Sequence, residues 1–423
     1  MWKLIRIADF GKVITGNTPS SSNPEHFGDS YPFITPTDMR TGRIVHTERR
    51  ISEEGHFKFR RQILPVRSVC FVCIGATIGK ICLTTERSLT NQQINSVVVD
   101  TVKHDPFFVF YLLSTYADKV KSIAGGAATP IVNKTSFANI EALVPPLSTQ
   151  RKIAAILSAY DDLIENNLRR IKILEEMAQN LYREWFVKFR FPGHEQACFV
   201  DSPLGKIPEG WDVVNLGDHL IALESGKRPK GGAQNILNGI PSVGAENIFG
   251  IGRHRYQSEK FVSHDFFDAM RKGIVKNGDV ALYKDGAYIG RSSYFRDAFP
   301  HTKFCVNEHV FLLRTTGKRV TQNVLYLWLQ EPNTVSEIRA NNANAAQPGI
   351  NQSGVNGLKL IVPPIEILNY FDATVELHLA TIISLAKKNE ILRRTRDMLL
   401  PKLISGEVDV SELDITIPEE AVA

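Results

Sequence analysis

This chain repeats itself. Gly75-Ala-Thr-Ile-Gly-Lys80 follows the apolar run 69–74, and Gly286-Ala-Tyr-Ile-Gly-Arg291 follows 280–283. Each copy continues through a polar patch (Asn91-Gln92, Asn307-Glu308), an apolar strand pattern, a Pro-Pro step (Pro145-Pro146, Pro363-Pro364) and a long helical pattern. Matching positions lie roughly 210 to 218 residues apart, far beyond the about 20 to 50 residues of a solenoid repeat. The repeating element is therefore a whole domain with its helix, and the chain must fold as two similar bodies.

After each Pro-Pro step the apolar residues fall at alternating spacings of four and three. The first run is Ile153, Leu157, Tyr160, Ile164, Asn167, Ile171, Leu174, Ala178, Leu181 and Trp185. The second is Leu368, Phe371, Val375, His378, Ile382, Leu385, Asn389, Leu392, Arg396 and Leu399, with Pro401 expected to end it. These are heptad seams, and two helices with matching seams pack on each other. Ser148 or Thr149 is the expected cap of the first helix. If Asn167 faces Asn389 and the helices run antiparallel, a constant residue sum sets Trp185 opposite Phe371 and Tyr160 opposite Arg396, a ring on a ring and a cation on a ring. A buried Asn pair also fixes register at some cost in stability.

The globular parts read as short β-rich runs broken by Gly, Pro, Ser and Asn clusters, at 43–47, 69–74, 80–84 and 94–99 in the first copy. One helix is expected at 106–120, and its counterpart at 320–329. The expected fold class is α+β (mixed α/β): two globular domains of similar fold joined by two long helices in an antiparallel coiled coil, with pseudo-two-fold organisation. The expected boundaries are domain 1 at 1–147, helix 1 at 148–190, a linker at 191–210, domain 2 at 211–363, helix 2 at 364–400 and a C-terminal segment at 401–423. A helix running from about 149 to 186 reaches about 57 Å at 1.5 Å per residue, enough to span half-sites about 34 to 36 Å apart on a duplex. The exposed helix faces and the aromatic tract 182–191 form a candidate partner surface, although the tract has an alternative role, packing against segment 403–410.

Nothing in the sequence resembles a signal peptide or a membrane span, so a cytoplasmic location is expected. Four of the five cysteines (Cys70, Cys73, Cys82, Cys305) sit in apolar runs and read as small buried residues. A net charge of +5 decides little by itself, but its distribution is informative. Basic, Asn and Gln residues crowd the loops of both copies, as contact with phosphates and base edges requires. The candidate DNA-binding residues are Asn17, Thr18, Arg40, Arg43, Lys80, Asn91 and Gln92 in the first copy. In the second they are Lys227, Arg228, Lys230, Asn247, Arg253, Lys284, Arg291 and Asn307.

No catalytic constellation emerges. The Gly75 to Lys80 segment is one residue too short for a phosphate loop, and Ile81 stands where Ser or Thr would bind magnesium. The histidines show no metal spacing, and no nucleophile triad is visible. The Pro-Pro steps, Val144-Pro-Pro-Leu147 and Val362-Pro-Pro-Ile365, lack the polar residue with which an amino-methyltransferase holds an extruded base.

The duplicated order now carries a resemblance. Trp2 to Ile7 and Trp211 to Leu216 lead to Thr15-Gly-Asn-Thr-Pro19 and Ser225-Gly-Lys-Arg-Pro229, then to the Gly-Ala-x-Ile-Gly turns, the Asn-Gln/Glu patches, the Pro-Pro steps and the long helices. Leu400-Pro-Lys-Leu-Ile-Ser-Gly-Glu-Val408 completes the pattern. The whole chain resembles the specificity (S) subunit of type I restriction-modification enzymes. It departs from its own repeat where Arg228 replaces the threonine of the first copy and Glu308 replaces the glutamine. The resemblance implies a non-catalytic reader of double-stranded DNA, with one target recognition domain for each half of an asymmetric bipartite site. It also implies docking of two methylase (M) subunits and of restriction/translocase (R) subunits, with S-adenosylmethionine, ATP and Mg on those partners rather than on this chain. The rival readings are a standalone DNA-modifying enzyme and a coiled-coil adaptor that binds only proteins.

Overall fold

A computed structural model describes residues 1–39, 43, 46–124, 130–233, 236–341 and 349–417. The chain divides into two units: Met1–Ile164 with Ile391–Ala423, and Glu165–Glu390. Each unit thus owns a globular part together with a stretch of both long helices, where the sequence boundaries set the helices apart as spacers.

The two globular parts share a strand plan. In unit 1 an antiparallel sheet runs in the order Gly11–Thr15, Ile94–Val99, Val69–Val72, Ile81–Leu83. In unit 2 the order is Leu220–Ser225, Val310–Thr315, Asp279–Tyr283, Ser292–Phe295. The central strands are buried on both faces, which explains why they read as continuous apolar runs rather than as alternation. A smaller sheet lies beside each, and each contains one parallel pairing: Tyr31–Ile34 with Leu89–Thr90, and Ile240–Val243 with Cys305–Val306. A third pairing closes each unit, Lys3–Arg6 with Glu141–Val144 and Asp212–Asn215 with Lys359–Val362. Of the expected strand at 43–47, residues 44 and 45 lie outside the described residues, and Arg43 is a bend.

The expected helix at 106–120 is two helices, Pro106–Ser114 and Ala117–Ile123. Asp105 caps the first by accepting from the Phe108 amide. Thr115 ends it, its Oγ1 donating back to the Leu112 carbonyl at 2.7 Å. In unit 2 Thr321 caps Gln322–Leu329 in the same way.

Both long helices are present, Leu147–Tyr182 and Ile365–Ser405. The first begins one residue before the expected caps. Within unit 2, Asn167 Nδ2 donates to Asn389 Oδ1 at 2.9 Å in a buried setting. Trp185 lies 5.5 Å from Phe371, centroid to centroid. The partner number falls as the first helix rises, so the helices are antiparallel there. Asn389→Ala would leave the buried Asn167 amide without this acceptor, an expected loss of about 1–3 kcal/mol. Replacing both by Leu is expected to cost less than the two single changes combined while loosening register. Denaturant midpoints of the singles and the double check this, and additive losses would refute it.

In unit 1, Arg396 bonds Asp161 and Asp397, and Asp161 is buried. The expected stack of Arg396 on Tyr160 is therefore corrected: the cation meets carboxylates, one helix position along from the tyrosine. Three further departures have physical causes. The second helix continues through Pro401 because its last turn buries Leu403 and Ile404 in the unit 1 core. His378 is half-buried, and Leu379, Ile383 and Ala386 take core places beside the heptad residues, because the helix faces domain as well as helix. Finally, the aromatic tract packs inside unit 2, with Phe186, Phe189 and Phe191 around Trp211. Segment 403–410 serves unit 1 instead, where Leu403, Ile404 and Val410 join the core and a Cβ on Gly406 would meet the Trp2 ring.

Candidate nucleic-acid interface

In each unit five of the candidate residues gather at one end of the four-stranded sheet. Antiparallel pairing dictates this, because the ends of the first and third strands meet the starts of the second and fourth. In unit 1 the pairs Thr15 with Asn95, Val72 with Ile94 and Phe71 with Ile81 bring Asn17, Thr18, Asn91, Gln92 and the turn ending at Lys80 to a common edge. In unit 2 the pairs Ser225 with Phe311, Tyr283 with Val310 and Leu282 with Ser292 do the same for Lys227, Arg228, Lys284, Arg291 and Asn307.

This edge is held by duplicated backbone bonds. The Asn91 amide donates to Ile34 O at 3.1 Å, and the Asn307 amide donates to Val243 O at 3.0 Å. Their side chains close equivalent Asx turns, Asn91 Oδ1 accepting from the Gln93 amide and Asn307 Oδ1 from the His309 amide. The glycine preceding each candidate loop passes close against this turn. A Cβ on Gly16 would lie 2.2 Å from Asn91 O, and one on Gly226 would lie 1.5 Å from Val306 O. The last glycine of each Gly-Ala-x-Ile-Gly turn, Gly79 or Gly290, has a φ of 97° or 88°, a conformation that a side chain strains.

The two departures within the repeat occupy one place. Thr18 Oγ1 donates to Gln92 Oε1 in unit 1, and in the matching position of unit 2 Arg228 Nε lies 3.0 Å from Glu308 Oε1. The copies differ at both positions, and each has a bond between the loops with its own chemistry. Thr18, Gln92 and Arg228 remain exposed, and Glu308 is half-buried.

The other candidates divide by placement. Asn17, Lys227, Lys230 and Arg291 are exposed, with Arg291 lying 4.0 Å over the Tyr288 ring. Lys80 is half-buried, its Nζ donating to Pro36 O at 2.8 Å. Lys284 lies 3.4 Å from Asp285 and over the Phe311 ring. Arg253 is away from this edge, exposed and ion-paired to Glu175 of the first long helix. Asn91, Asn307 and Asn247 are buried in turns, Asn247 accepting from the Arg255 amide, and their expected exposure as readers is corrected. Arg43 is corrected too: it is buried against the first long helix, ion-paired to Asp161 and Asp162. Arg40 lies outside the described residues.

One grouping escaped the sequence. His254, Glu259 and His301 converge in unit 2, both imidazole Nε2 atoms bonded to Glu259 Oε1. Burial would raise the Glu259 carboxyl, but the bonds from His254 and His301 hold it down to about 2. No spacing signals this cluster, because His301 arrives from a separate loop.

The comparisons with known proteins bear on this geometry. The sequence profile of the type I restriction modification DNA specificity domain matches residues 1–176 and 208–387. The chain belongs to that family. Two similar proteins span nearly all of it, both from Methanocaldococcus jannaschii. The type I restriction enzyme MjaIX specificity subunit is 28% identical over 422 residues, covering 97% of this chain and 94% of that protein. The MjaVIII specificity subunit is 24% identical over 429 residues, covering 98% and 94%. Among solved structures, the S subunit of the type I restriction-modification system from M. genitalium aligns with a TM-score of 0.58 at 14% identity, covering 95% of this chain and 96% of that one. That likeness is one of fold. Both repeats fall inside the family match, so the two sheet edges belong to two copies of one kind of domain.

Proposed function

We propose that this chain is the sequence-specific DNA-binding subunit of a type I restriction-modification system, reading an asymmetric two-part site with one domain for each part. The observation that carries this is the matched pair Thr18–Gln92 and Arg228–Glu308: one scaffold position, held by the same backbone turns, presents different polar chemistry in each unit. Two readers of different half-sites require that combination of fixed frame and changed contact. The proposed base and phosphate contacts are Asn17, Thr18, Gln92 and Lys80 in unit 1, and Lys227, Arg228, Lys230, Lys284 and Arg291 in unit 2. Arg43, Asn91, Asn247 and Asn307 support the frame instead, and Arg253 braces a loop against the helix.

In this reading the chain performs no chemistry. Two methylase subunits carry S-adenosylmethionine, and restriction/translocase subunits use ATP and Mg. Exposed apolar residues of the long helices, such as Ile173, Met177 and Leu377 in unit 2, are the proposed seats for those subunits. The proposed location is the cytoplasm of a bacterial or archaeal cell; among the described residues no helix is long and apolar enough to cross a membrane.

The test is binding of the assembled methylase complex to duplex libraries with two randomised half-sites. Gln92→Ala is expected to relax discrimination in one half-site by about 1–3 kcal/mol and leave the other intact, and Arg228→Ala to do the converse. Lys230→Ala, as a phosphate contact, should weaken every duplex evenly and reduce the salt slope by about one. Equal loss in both half-sites from Gln92→Ala or Arg228→Ala would overturn the assignment of one domain to each half.

A further inference from the structure

We infer that His254, Glu259 and His301 form a divalent-metal site, of the zinc type, that fastens the loop carrying Arg253 and Arg255 to the body of unit 2. The ligand atoms of the three side chains all lie within 4.8 Å of one another. His254 is fully buried at its side chain, Glu259 nearly so, and His301 is one-quarter exposed. Two imidazole nitrogens and a carboxylate oxygen make the borderline donor set that zinc prefers, and three protein ligands leave one coordination position for water.

The convergence is built, not incidental. His254 and Glu259 flank the short turn Tyr256–Ser258, and Glu259 leads directly into the strand Lys260–Val262, whose pairing with Ile240–Val243 fixes it. The Arg255 amide is held by Asn247 Oδ1 at 2.9 Å, and the Tyr256 hydroxyl donates to Glu390 of the second long helix at 2.7 Å. His301 comes from the far loop, with its ring packed edge-on to those of His254 and Tyr256. Without an ion, both Nε2–H groups must share one carboxylate oxygen. A cation at the point of convergence replaces those two protons and satisfies all three groups together.

One feature sets the expected affinity. Among the described residues His254 Nδ1 is buried without a hydrogen-bond partner, so the ring lacks there the acceptor that usually orients a metal-bound histidine. Loss of such support lowers affinity by about 10- to 100-fold, which places this site below a fully supported structural zinc site. Its role is to hold a loop rather than to create the fold. The inference does not rest on the DNA-reading proposal, and its test involves no DNA.

The test uses the full, tag-free chain equilibrated with zinc, with bound metal counted by elemental analysis and cobalt(II) substituted for its visible spectrum. One zinc per chain is expected, with a low-coordinate cobalt band. Glu259→Gln and His301→Ala should each weaken zinc binding by at least about 10-fold while circular dichroism remains native, and His301→Cys should restore zinc with a sulfur-to-cobalt charge-transfer band. The control is His26→Ala, in the more exposed group Glu25, His26 and Glu54, which should bind zinc like the parent. No zinc on the parent chain would overturn the inference, as would loss of zinc in His26→Ala but not in folded His301→Ala.

Discussion

Asp161→Ala is expected to cost unit 1 about 3 kcal/mol or more, because it breaks a buried charge cluster from its centre. The Asp161 carboxylate accepts the Tyr111 hydroxyl, bonds the Arg396 guanidinium and lies 3.8 Å from Arg43 Nε. Burial, followed by the Asp161 charge, drives the Tyr111 hydroxyl well above the usual phenol range, so the phenol stays the donor. Removing the carboxylate leaves two guanidinium groups facing each other in a half-dry site and takes the acceptor from a buried hydroxyl. Asp162 and Asp397 hold one arginine each and limit the loss, which sets the expectation at the low end of the range for broken buried pairs. Asp162→Ala is the control: its carboxylate is the exposed member of its pair with the buried Arg43, which keeps Asp161 beside it, so a smaller loss is expected. Denaturant midpoints and amide exchange in Pro106–Ser114 measure both. Equal losses from Asp161→Ala and Asp162→Ala would show that the cluster is not held by its buried member.

The same cluster marks what the sequence could and could not reveal. A period of three and four residues located both long helices and the facing of Asn167 and Asn389, because heptad packing depends only on positions along two regular rods. It misjudged Arg396 by one position. Tyr160 and Asp161 are neighbours in the chain, and a seam rule credits the tyrosine, whereas an arginine leaving water is better met by a carboxylate. Pro401 misled for a related reason: propensity favours a stop, but burial of Leu403 and Ile404 in the unit 1 core outweighs one lost backbone bond. Local preference gave way to packing in both cases.

At the sheet edges the limit is different. Residue type brought Asn91, Asn307 and Asn247 forward as base readers, since Asn suits adenine, but the same amide also serves the backbone: Asn91 and Asn307 close Asx turns within two residues of themselves, Asn247 holds the Arg255 amide, and all three are buried. Arg43 sits in a basic stretch, yet its partner is an acidic pair more than a hundred residues along the chain, which no window reveals. The Thr18–Gln92 and Arg228–Glu308 pairs were visible only as mismatches between the copies. Their meaning as matching contacts needed the pairing of strands that brings position 18 to 92 and 228 to 308.

Phe371→Ala is expected to cost unit 2 about 3–5 kcal/mol, as for a large ring removed from a site that cannot collapse. Phe371 has no exposed surface. Its ring lies 4.7 Å from Phe186 at 72°, 5.5 Å from Trp185 and 6.2 Å from Tyr182, and Phe186 in turn meets Trp211 at the start of the domain. These rings come from the helix end, the short π turn Arg183–Val187 and the second long helix, so none can move into the gap without breaking backbone structure. Phe371→Leu keeps most of the volume and is expected to cost less than about 1.5 kcal/mol. Amide exchange across residues 182–191 should rise sharply in the alanine variant and little in the leucine one. The comparison with Asn389→Ala then separates two roles along one seam. The asparagine pair selects register for a modest energy, while the aromatic cluster fastens the helices to the domain that reads. A loss from Phe371→Ala no larger than that from Asn389→Ala would mean that the polar pair, rather than the rings, anchors unit 2 to its helices.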